Sequence, residues 1–196
     1  MSIIYFKRFH MEYDLGQPLF PEPSLPQDYL LLPWEEDLLA VHAEVKYQCF
    51  RHELDANVFP NLGKREGCRR LMDDIVFRGR FVPQATWLLQ YWPPQARRPE
   101  ACGTIQGMVD DTGTQPLVVG AVQNVGVLQR HRGLGLGSSL LHHSLAGFRA
   151  AGMHKVFLEV TAKNTAAIRL YERLGFRTTR VVYKAAEVYD AEVAYA

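Results

Sequence analysis

Three glycines at alternate positions separate an apolar, strand-like segment from a long amphipathic one. The run Arg132-Gly133-Leu134-Gly135-Leu136-Gly137-Ser138 follows Gly126-Val127-Leu128 and precedes residues whose apolar positions recur at helical spacing. Alternate glycines let a backbone approach a ligand closely, and the first N–H groups of the helix face outward at the positive end of its dipole. The pattern therefore predicts a strand, a loop and a helix that together bind an anion.

The spacing of these glycines excludes two other phosphate-binding motifs. A P-loop places a lysine directly after its last glycine, whereas serine follows Gly137. The dinucleotide motif G-x-G-x-x-G would need glycine at Ser138 or at Leu140, depending on its first residue. The first helical turn also carries no Asp or Glu, so an exogenous phosphate can occupy the positive end of the dipole.

The remaining patterns predict a mixed α/β fold in one domain of 196 residues. Strands are expected at 3–13 and 29–32, in an antiparallel meander of 85–92, 101–109 and 116–128, and at 155–161, 177–184 and 187–195. Helices are expected at 35–54, 64–77, 135–151 and 164–174. No internal repeat is visible.

Charge and composition argue against several classes of protein. With 22 basic and 21 acidic residues the net charge is +1, so we expect neither a nucleic-acid binder nor a membrane-surface protein. No segment is apolar enough to span a membrane or to serve as an export signal. Three widely spaced cysteines predict no disulfide framework and no zinc site, which fits a cytoplasmic location. The local basic cluster at 64–80 is interpreted as a solvated helix face, with an anionic partner as the alternative.

A second segment, from Phe157 to Phe176, carries its own signals. Asn164 is a good helix N-cap and Gly175 a good C-terminal residue, after which Phe176 can pack back over the last turn. Tyr171 lies two turns after Asn164, so both share one helix face with Ala167. Glu159 alternates with apolar neighbours in the preceding strand and must face the opposite side.

Together the two segments resemble the GNAT (general N-acetyltransferase) superfamily. Arg132, Gly135 and Gly137 match its R-x-x-G-x-G coenzyme A pyrophosphate loop, and the second segment is most similar to the ribosomal-protein N-terminal acetyltransferase branch. The resemblance covers residues 117–176 and implies the GNAT fold: a mostly antiparallel sheet of six to seven strands, flanked by helices and splayed at the strand before the glycine loop. It also implies an acetyl-CoA binding core at 116–176 and an acceptor side within 1–110.

The resemblance further implies direct transfer of acetyl from acetyl-CoA, as co-substrate, to a primary amine in a ternary complex without a metal. Glu159 would remove the amine proton, directly or through water, and Tyr171 would assist the departing thiolate. The backbone N–H of the Val127 to Leu128 segment would donate to the carbonyl oxygen as it becomes an oxyanion. The residues implied in coenzyme binding belong to the strand end, the loop and the second helix: Val127, Leu128, Arg132, Gly133, Leu134, Gly135, Leu136, Gly137, Ser138, Asn164, Ala167 and Tyr171.

Several alternatives stay open at this point. Glu53 is a second candidate base, whereas Gln123 and Asn124, where other members of the superfamily carry a strand base, cannot titrate. The acceptor could be a peptide N-terminus, a lysine, a polyamine or an antibiotic, and dimerisation is undecided. A non-catalytic coenzyme A binding or sensing domain, or an unrelated phosphate-binding α/β protein, would carry the same loop.

Overall fold

The computed structural model describes residues 2–110 and 118–188, which form seven strands and five α-helices linked by short 3-10 turns. The strands are β1 (Ser2–Asp14), β2 (Tyr29–Pro33), β3 (Trp87–Tyr91), β4 (Glu100–Asp110), β5 (Val119–Val127), β6 (Lys155–Thr161) and β7 (Arg177–Val188). The helices are α1 (Leu39–Phe50), α2 (Leu54–Val58), α3 (Arg65–Phe77), α4 (Leu136–Ala150) and α5 (Thr165–Arg173).

The strands form one sheet in the order β2-β3-β4-β5-β6-β1-β7. Every neighbouring pair is antiparallel except β5 and β6, which confirms the predicted meander and the mostly antiparallel sheet. The parallel pair is joined only from Val119 to Ala121, although β5 continues to Val127. Beyond Ala121 the two strands separate, and this is the predicted splay.

The first strand of the chain occupies a position that the sequence did not indicate. β1 lies between β6 and β7 and is antiparallel to both, so β6 and β7 run parallel with α5 as their crossover. His10 is opposite Glu159 on one side and Arg180 on the other. The register of β1 with β7 shifts between His10 and Met11, which marks a β-bulge.

Two predicted elements differ from the structure. The helix expected at 35–54 is divided into a 3-10 turn, α1 and α2, because Glu53 adopts an extended conformation (φ −94°, ψ 158°) that interrupts the helix. The two strands expected near the C-terminus are one strand as far as Val188, and residues 189–195 of the second lie outside the described residues.

The helices cover both faces of the sheet. A side chain at Gly126 would meet Cys49 and Phe50 of α1, whereas one at Gly103, on the neighbouring strand, would meet Leu140 of α4. α1 and α4 therefore pack on opposite faces. The predicted apolar stripe of α4 is buried throughout, at Leu136, Leu140, Leu141, Leu145 and Phe148. This packing holds the N-terminus of α4 at the splay.

The surface agrees with the interpretation of the basic cluster. Exposed ion pairs join Arg65 to Glu44, Arg69 to Asp73 and Arg78 to Asp74, as on a solvated helix face. Cys49, Cys68 and Cys102 are free and buried. Across 2–110 and 118–188, no helix has the length and apolar character to cross a bilayer, and no three potential ligands cluster as a metal site.

Candidate active site in the splay of the sheet

The end of β5 presents one backbone N–H to the open side of the splay. The Leu128 N–H donates to the Cys102 carbonyl oxygen of β4 at 2.8 Å, so it cannot serve as the predicted oxyanion donor. Successive N–H groups of a strand point in opposite directions, which directs the Val127 N–H away from β4 and towards β6. Of the two predicted donors, only Val127 is placed to contact a ligand in the gap.

A β-bulge bends β5 just before this point. Gln106 pairs with Gln123 and Thr104 with Gly126, which leaves an extra residue in β5 around Asn124. Asn124 has a positive φ of 50°, and its side-chain nitrogen is buried with no hydrogen-bond partner in the described chain. Bulges increase local twist and are common beside active sites. This one accompanies the departure of β5 from β6.

The glycine loop exposes its backbone. Gly133 and Gly135 have φ of 82° and 78°, conformations that favour glycine, and open space surrounds the position of a Cβ at each. The N–H groups of residues 133–137 donate to no acceptor in the part of the chain that the structure describes, and the N–H of Ser138 bonds back to Gly135. α4 begins at Leu136, so these groups lie at the positive end of a 15-residue helix. The loop therefore has donors directed at the place where the sequence predicts an anion.

Arg132 joins this loop to the first half of the chain. Its Nε donates to the Val127 carbonyl oxygen at 2.9 Å, and its Nη2 lies 2.7 Å from Oε1 of Glu53. The guanidinium thus fixes the end of β5. Glu53, the second candidate base, is held in this ion pair.

Glu159 lies on the opposite face of β6 from the buried Leu158 and Val160, as the alternation predicts. Its side chain is 34% exposed, and its Oε2 is 3.5 Å from Nε of Arg8. Arg8, on β1, is itself buried and also donates to the Glu159 carbonyl oxygen at 2.9 Å. The carboxylate is therefore open to solvent on one side and held by a buried cation on the other.

Arg8 also connects this carboxylate to the helical layer. Its Nη1 donates to Oγ1 of Thr161 at 3.0 Å and lies 3.6 Å from Oδ1 of Asp55 on α2. The Thr161 hydroxyl donates to the same Asp55 oxygen at 3.1 Å. Sequence reasoning missed Arg8, although polar residues at alternate positions of an apolar strand were a signal for it.

His10 is the second site neighbour that the sequence did not indicate. Its ring stacks on Phe157 with centroids 4.4 Å apart, and its Nδ1 is 3.7 Å from Oε1 of Glu159. Burial, followed by the nearby Arg180, lowers the pKa of His10, while Glu12 and Glu159 oppose the shift. The imidazole is therefore neutral at pH 7.

α5 presents the predicted face of Asn164, Ala167 and Tyr171. Oδ1 of Asn164 accepts the Ala167 N–H at 3.2 Å, which confirms the N-cap and leaves the amide nitrogen for another contact. Gly175 has φ of 102°, and the Phe176 N–H bonds back to the Tyr171 carbonyl oxygen, as expected for the helix end.

The Tyr171 ring is buried, and its hydroxyl has no hydrogen-bond partner within 2–110 and 118–188. Burial, followed by the charge of Asp55, raises the pKa of Tyr171 well above its usual value. The phenol therefore keeps its proton at any physiological pH and can donate a hydrogen bond.

Residues 63–176 match the family described as "Acetyltransferase (GNAT) family". A mycothiol acetyltransferase of Thermobispora bispora is 47% identical over 68 residues, which are 34% of this chain and 23% of the relative. An N-alpha-acetyltransferase of Sulfurisphaera tokodaii is 38% identical over 64 residues, 32% of this chain and 38% of the relative. The matched segments thus span well under half of these curated relatives.

Solved structures share the fold across nearly the whole chain. A GCN5-related N-acetyltransferase from Sphaerobacter thermophilus superposes with a TM-score of 0.65 at 23% identity, over 92% of this chain and 50% of that one. A tandem GNAT protein from the clavulanic acid biosynthesis pathway gives 0.58 at 18% identity, over 93% and 53%. At these identities the likeness concerns the fold alone.

Proposed function

The chain belongs to the GNAT acetyltransferase family, and on that premise we propose that it transfers acetyl from acetyl-CoA to a primary amine by direct attack in a ternary complex. One observation carries the proposal: β5 and β6 pair only from Val119 to Ala121, and candidate groups lie on the elements that border the resulting gap. Val127 and the glycine loop belong to the end of β5 and the segment after it, whereas Glu159 lies on β6 and Tyr171 on the helix that follows β6. The loop N–H groups would bind a pyrophosphate, the Val127 N–H a thioester oxygen, and the Glu159 carboxylate an amine.

The coenzyme would follow the wall of the splay. The N–H groups of residues 133–137 would bind its pyrophosphate, and the half-buried face of α5 at Asn164 and Ala167 would line the pantetheine arm. The Val127 N–H would donate to the thioester oxygen as negative charge develops there. Residues 116–176 would thus form the coenzyme core, and the face of the sheet beneath α1 and α2 would receive the acceptor.

Proton chemistry favours an α-amino acceptor. An amine attacks a thioester only when neutral, and deprotonating a lysine of pKa ~10.4 at pH 7 costs about 4.6 kcal/mol, against about 1 kcal/mol for an α-amino group. Glu159, exposed on the acceptor face, would take this proton. We therefore place peptide N-termini and small α-amines first among the acceptors.

Tyr171 would act on the leaving group by hydrogen bonding. An ordinary thiol has a pKa of ~8.5, well below that of the phenol, which burial raises further. Full proton transfer from Tyr171 to the thiolate is therefore uphill, and donation of a hydrogen bond to the developing charge is the favourable role.

The test is release of free coenzyme A thiol from acetyl-CoA in the presence of peptide N-termini, lysine peptides, polyamines and aminoglycosides. Binding of acetyl-CoA is measured by calorimetry on the same preparation. Glu159→Gln is the matched variant, expected to bind acetyl-CoA normally and to turn over at least tenfold more slowly. Binding without release for every amine would contradict acetyl transfer, and absence of binding would contradict the coenzyme site itself.

A further inference from the structure

We propose that His10 is the second proton acceptor of this site, taking from Glu159 the proton that Glu159 removes from the amine and passing it towards Glu12. The inference rests on the proposed function. It assigns the N-terminal strand a part in proton transfer, with His10 acting through Glu159 rather than on the substrate.

The position of β1 in the sheet brings His10 next to Glu159. His10 lies directly opposite Glu159 in the register of β1 with β6, so the two side chains emerge on the same face. The bulge between His10 and Met11 lies at this residue, and stacking on Phe157 at an interplanar angle of 21° fixes the ring. Nδ1 is 3.7 Å from Oε1 of Glu159, a gap that a rotation of the carboxylate can close to hydrogen-bond length.

Solvent access sets the order of transfer. The side chain of Glu159 is 34% exposed, whereas that of His10 is 5% exposed. An amine on the acceptor face therefore reaches Glu159 first and meets His10 only through it. On the far side, Nε2 of His10 is 3.5 Å from Oε1 of Glu12, whose side chain is 26% exposed and offers a route to bulk water.

The hydrogen-bond partners set the starting state of the imidazole. Nη2 of Arg180 lies 3.3 Å from Nδ1 and can only donate, so Nδ1 is the bare nitrogen and Nε2 carries the proton towards Glu12. The groups in contact with the His10 ring are Glu12 on β1, Phe157 and Glu159 on β6, and Arg180 on β7. Two further cations lie one contact away, since Arg8 pairs with Glu159 and Lys155 lies 2.8 Å from Oε2 of Glu12.

The proposed transfer consists of two linked proton movements. The amine N–H bond breaks and an O–H bond forms on Glu159. That proton then moves to Nδ1 of His10, while the Arg180 guanidinium moves away from this nitrogen. The resulting imidazolium lies beside the Arg180 cation, which disfavours it and promotes release of the Nε2 proton to the Glu12 carboxylate and on to water. Glu159 is thereby returned to its ionised form. Before the next turnover His10 loses the Nδ1 proton to water and regains one at Nε2 through Glu12, which restores its starting tautomer.

The kinetic test compares the wild type with His10→Gln, which retains polar contacts but cannot take a proton. We expect kcat/KM to fall at least tenfold at pH 7 and the acid limb of log(kcat/KM) against pH to become less steep by one unit, because one ionisation is removed. His154→Gln, an exposed histidine outside the site, is the matched control and should keep the wild-type profile. An unchanged acid limb in His10→Gln would overturn the relay, since a purely structural defect lowers rate without altering the slope.

A second measurement needs no turnover, so it also separates failure of the relay from failure of the proposed function. NMR titration of the His10 ring protons should show a lower pKa in Glu159→Gln than in wild type, because the carboxylate that stabilises the imidazolium is gone. Identical His10 titrations in the two proteins would refute the coupling, even if no acetyl acceptor had been found. If the wild type released no thiol with any amine in the panel, acetyl transfer would be refuted, whatever the His10 titration showed.

Discussion

Lys46 allows a quantitative prediction of how the free energy of unfolding depends on pH. It lies on α1 with its side chain fully buried, and its only polar contact in the described residues is Sδ of Met72, 3.1 Å from Nζ. Burial lowers the pKa of Lys46 from 10.5 to about 7. One turn earlier, His42 is also buried, and burial lowers its pKa to about 3. Within the described residues, no carboxylate pairs with this buried amino group.

The magnitude follows from proton linkage. Above pH 10.5 the amine is neutral in both the folded and the unfolded chain, so it has no effect. As the pH falls from 10.5 to about 7, only the unfolded chain binds the proton, and the free energy of unfolding decreases. A difference of 3.5 pKa units at 1.36 kcal/mol each makes the full loss about 5 kcal/mol, reached at and below pH 7.

Replacing the amine with a thioether of similar shape should remove this loss. We expect Lys46→Met to raise the free energy of unfolding at pH 7 by several kcal/mol and to abolish the part of its pH dependence between 7 and 10.5 that the wild type shows. Urea unfolding at pH 7, 8, 9 and 10, extrapolated linearly, measures both effects. Lys163→Met, at an exposed position, is the control and should leave both quantities unchanged within about 0.5 kcal/mol.

The contrary result is a Lys46→Met variant that is no more stable than wild type at pH 7 and keeps the same dependence on pH. That outcome would mean that the folded protein holds Lys46 as a cation, satisfied by groups other than the Met72 sulfur.

Three further changes test the site and its supports. Tyr171→Phe should lower kcat while leaving the Kd for acetyl-CoA and the stability close to wild type, because the hydroxyl has no hydrogen-bond partner among the described residues; steady-state kinetics and calorimetry separate the two, and an unchanged kcat would contradict its role. Asn164→Ala should reduce the free energy of unfolding by about 1 kcal/mol through loss of the cap on α5, as read from urea midpoints. Gly135→Ala forces a side chain into φ 78°, so we expect a loss of roughly 1–2 kcal/mol in stability and weaker acetyl-CoA binding; unaltered binding would argue against the loop as the pyrophosphate site.

The features that the sequence predicted well are local ones. The glycine spacing, the cap at Asn164 and the turn at Gly175 each depend on a few consecutive residues, and the structure has them where the sequence placed them. The apolar stripe of α4 follows from helical periodicity in the same way. Such signals need no knowledge of the partner element.

Pairing across the sheet could not be predicted, because it joins residues far apart in the chain. Arg8 pairs with Thr161, and no local pattern in either strand names the other. The direction of a strand N–H also depends on which strand lies beside it. Leu128 was therefore expected to contact the ligand, although its N–H donates to the Cys102 carbonyl oxygen. The sequence does show that polar Arg8, His10 and Glu12 alternate with apolar residues. This alternation predicts a polar and an apolar face on β1, but it does not say which strands or helices lie against each face.

Those two faces explain why the position of β1 matters to the site. On one face, Tyr13 packs against Phe176 with ring centroids 5.2 Å apart, and Phe176 in turn packs against Tyr171 at 5.9 Å. On the other face, Arg8 and His10 hold the two oxygens of Glu159. The proposed base and the proposed leaving-group donor lie on different elements, and the distance between them is fixed through alternate side chains of this one strand. Because β1 is also hydrogen-bonded on both edges, a shift of its register by one residue would exchange the two faces and separate both groups from their supports. The geometry of the splay therefore depends on β1 as much as on the glycine loop.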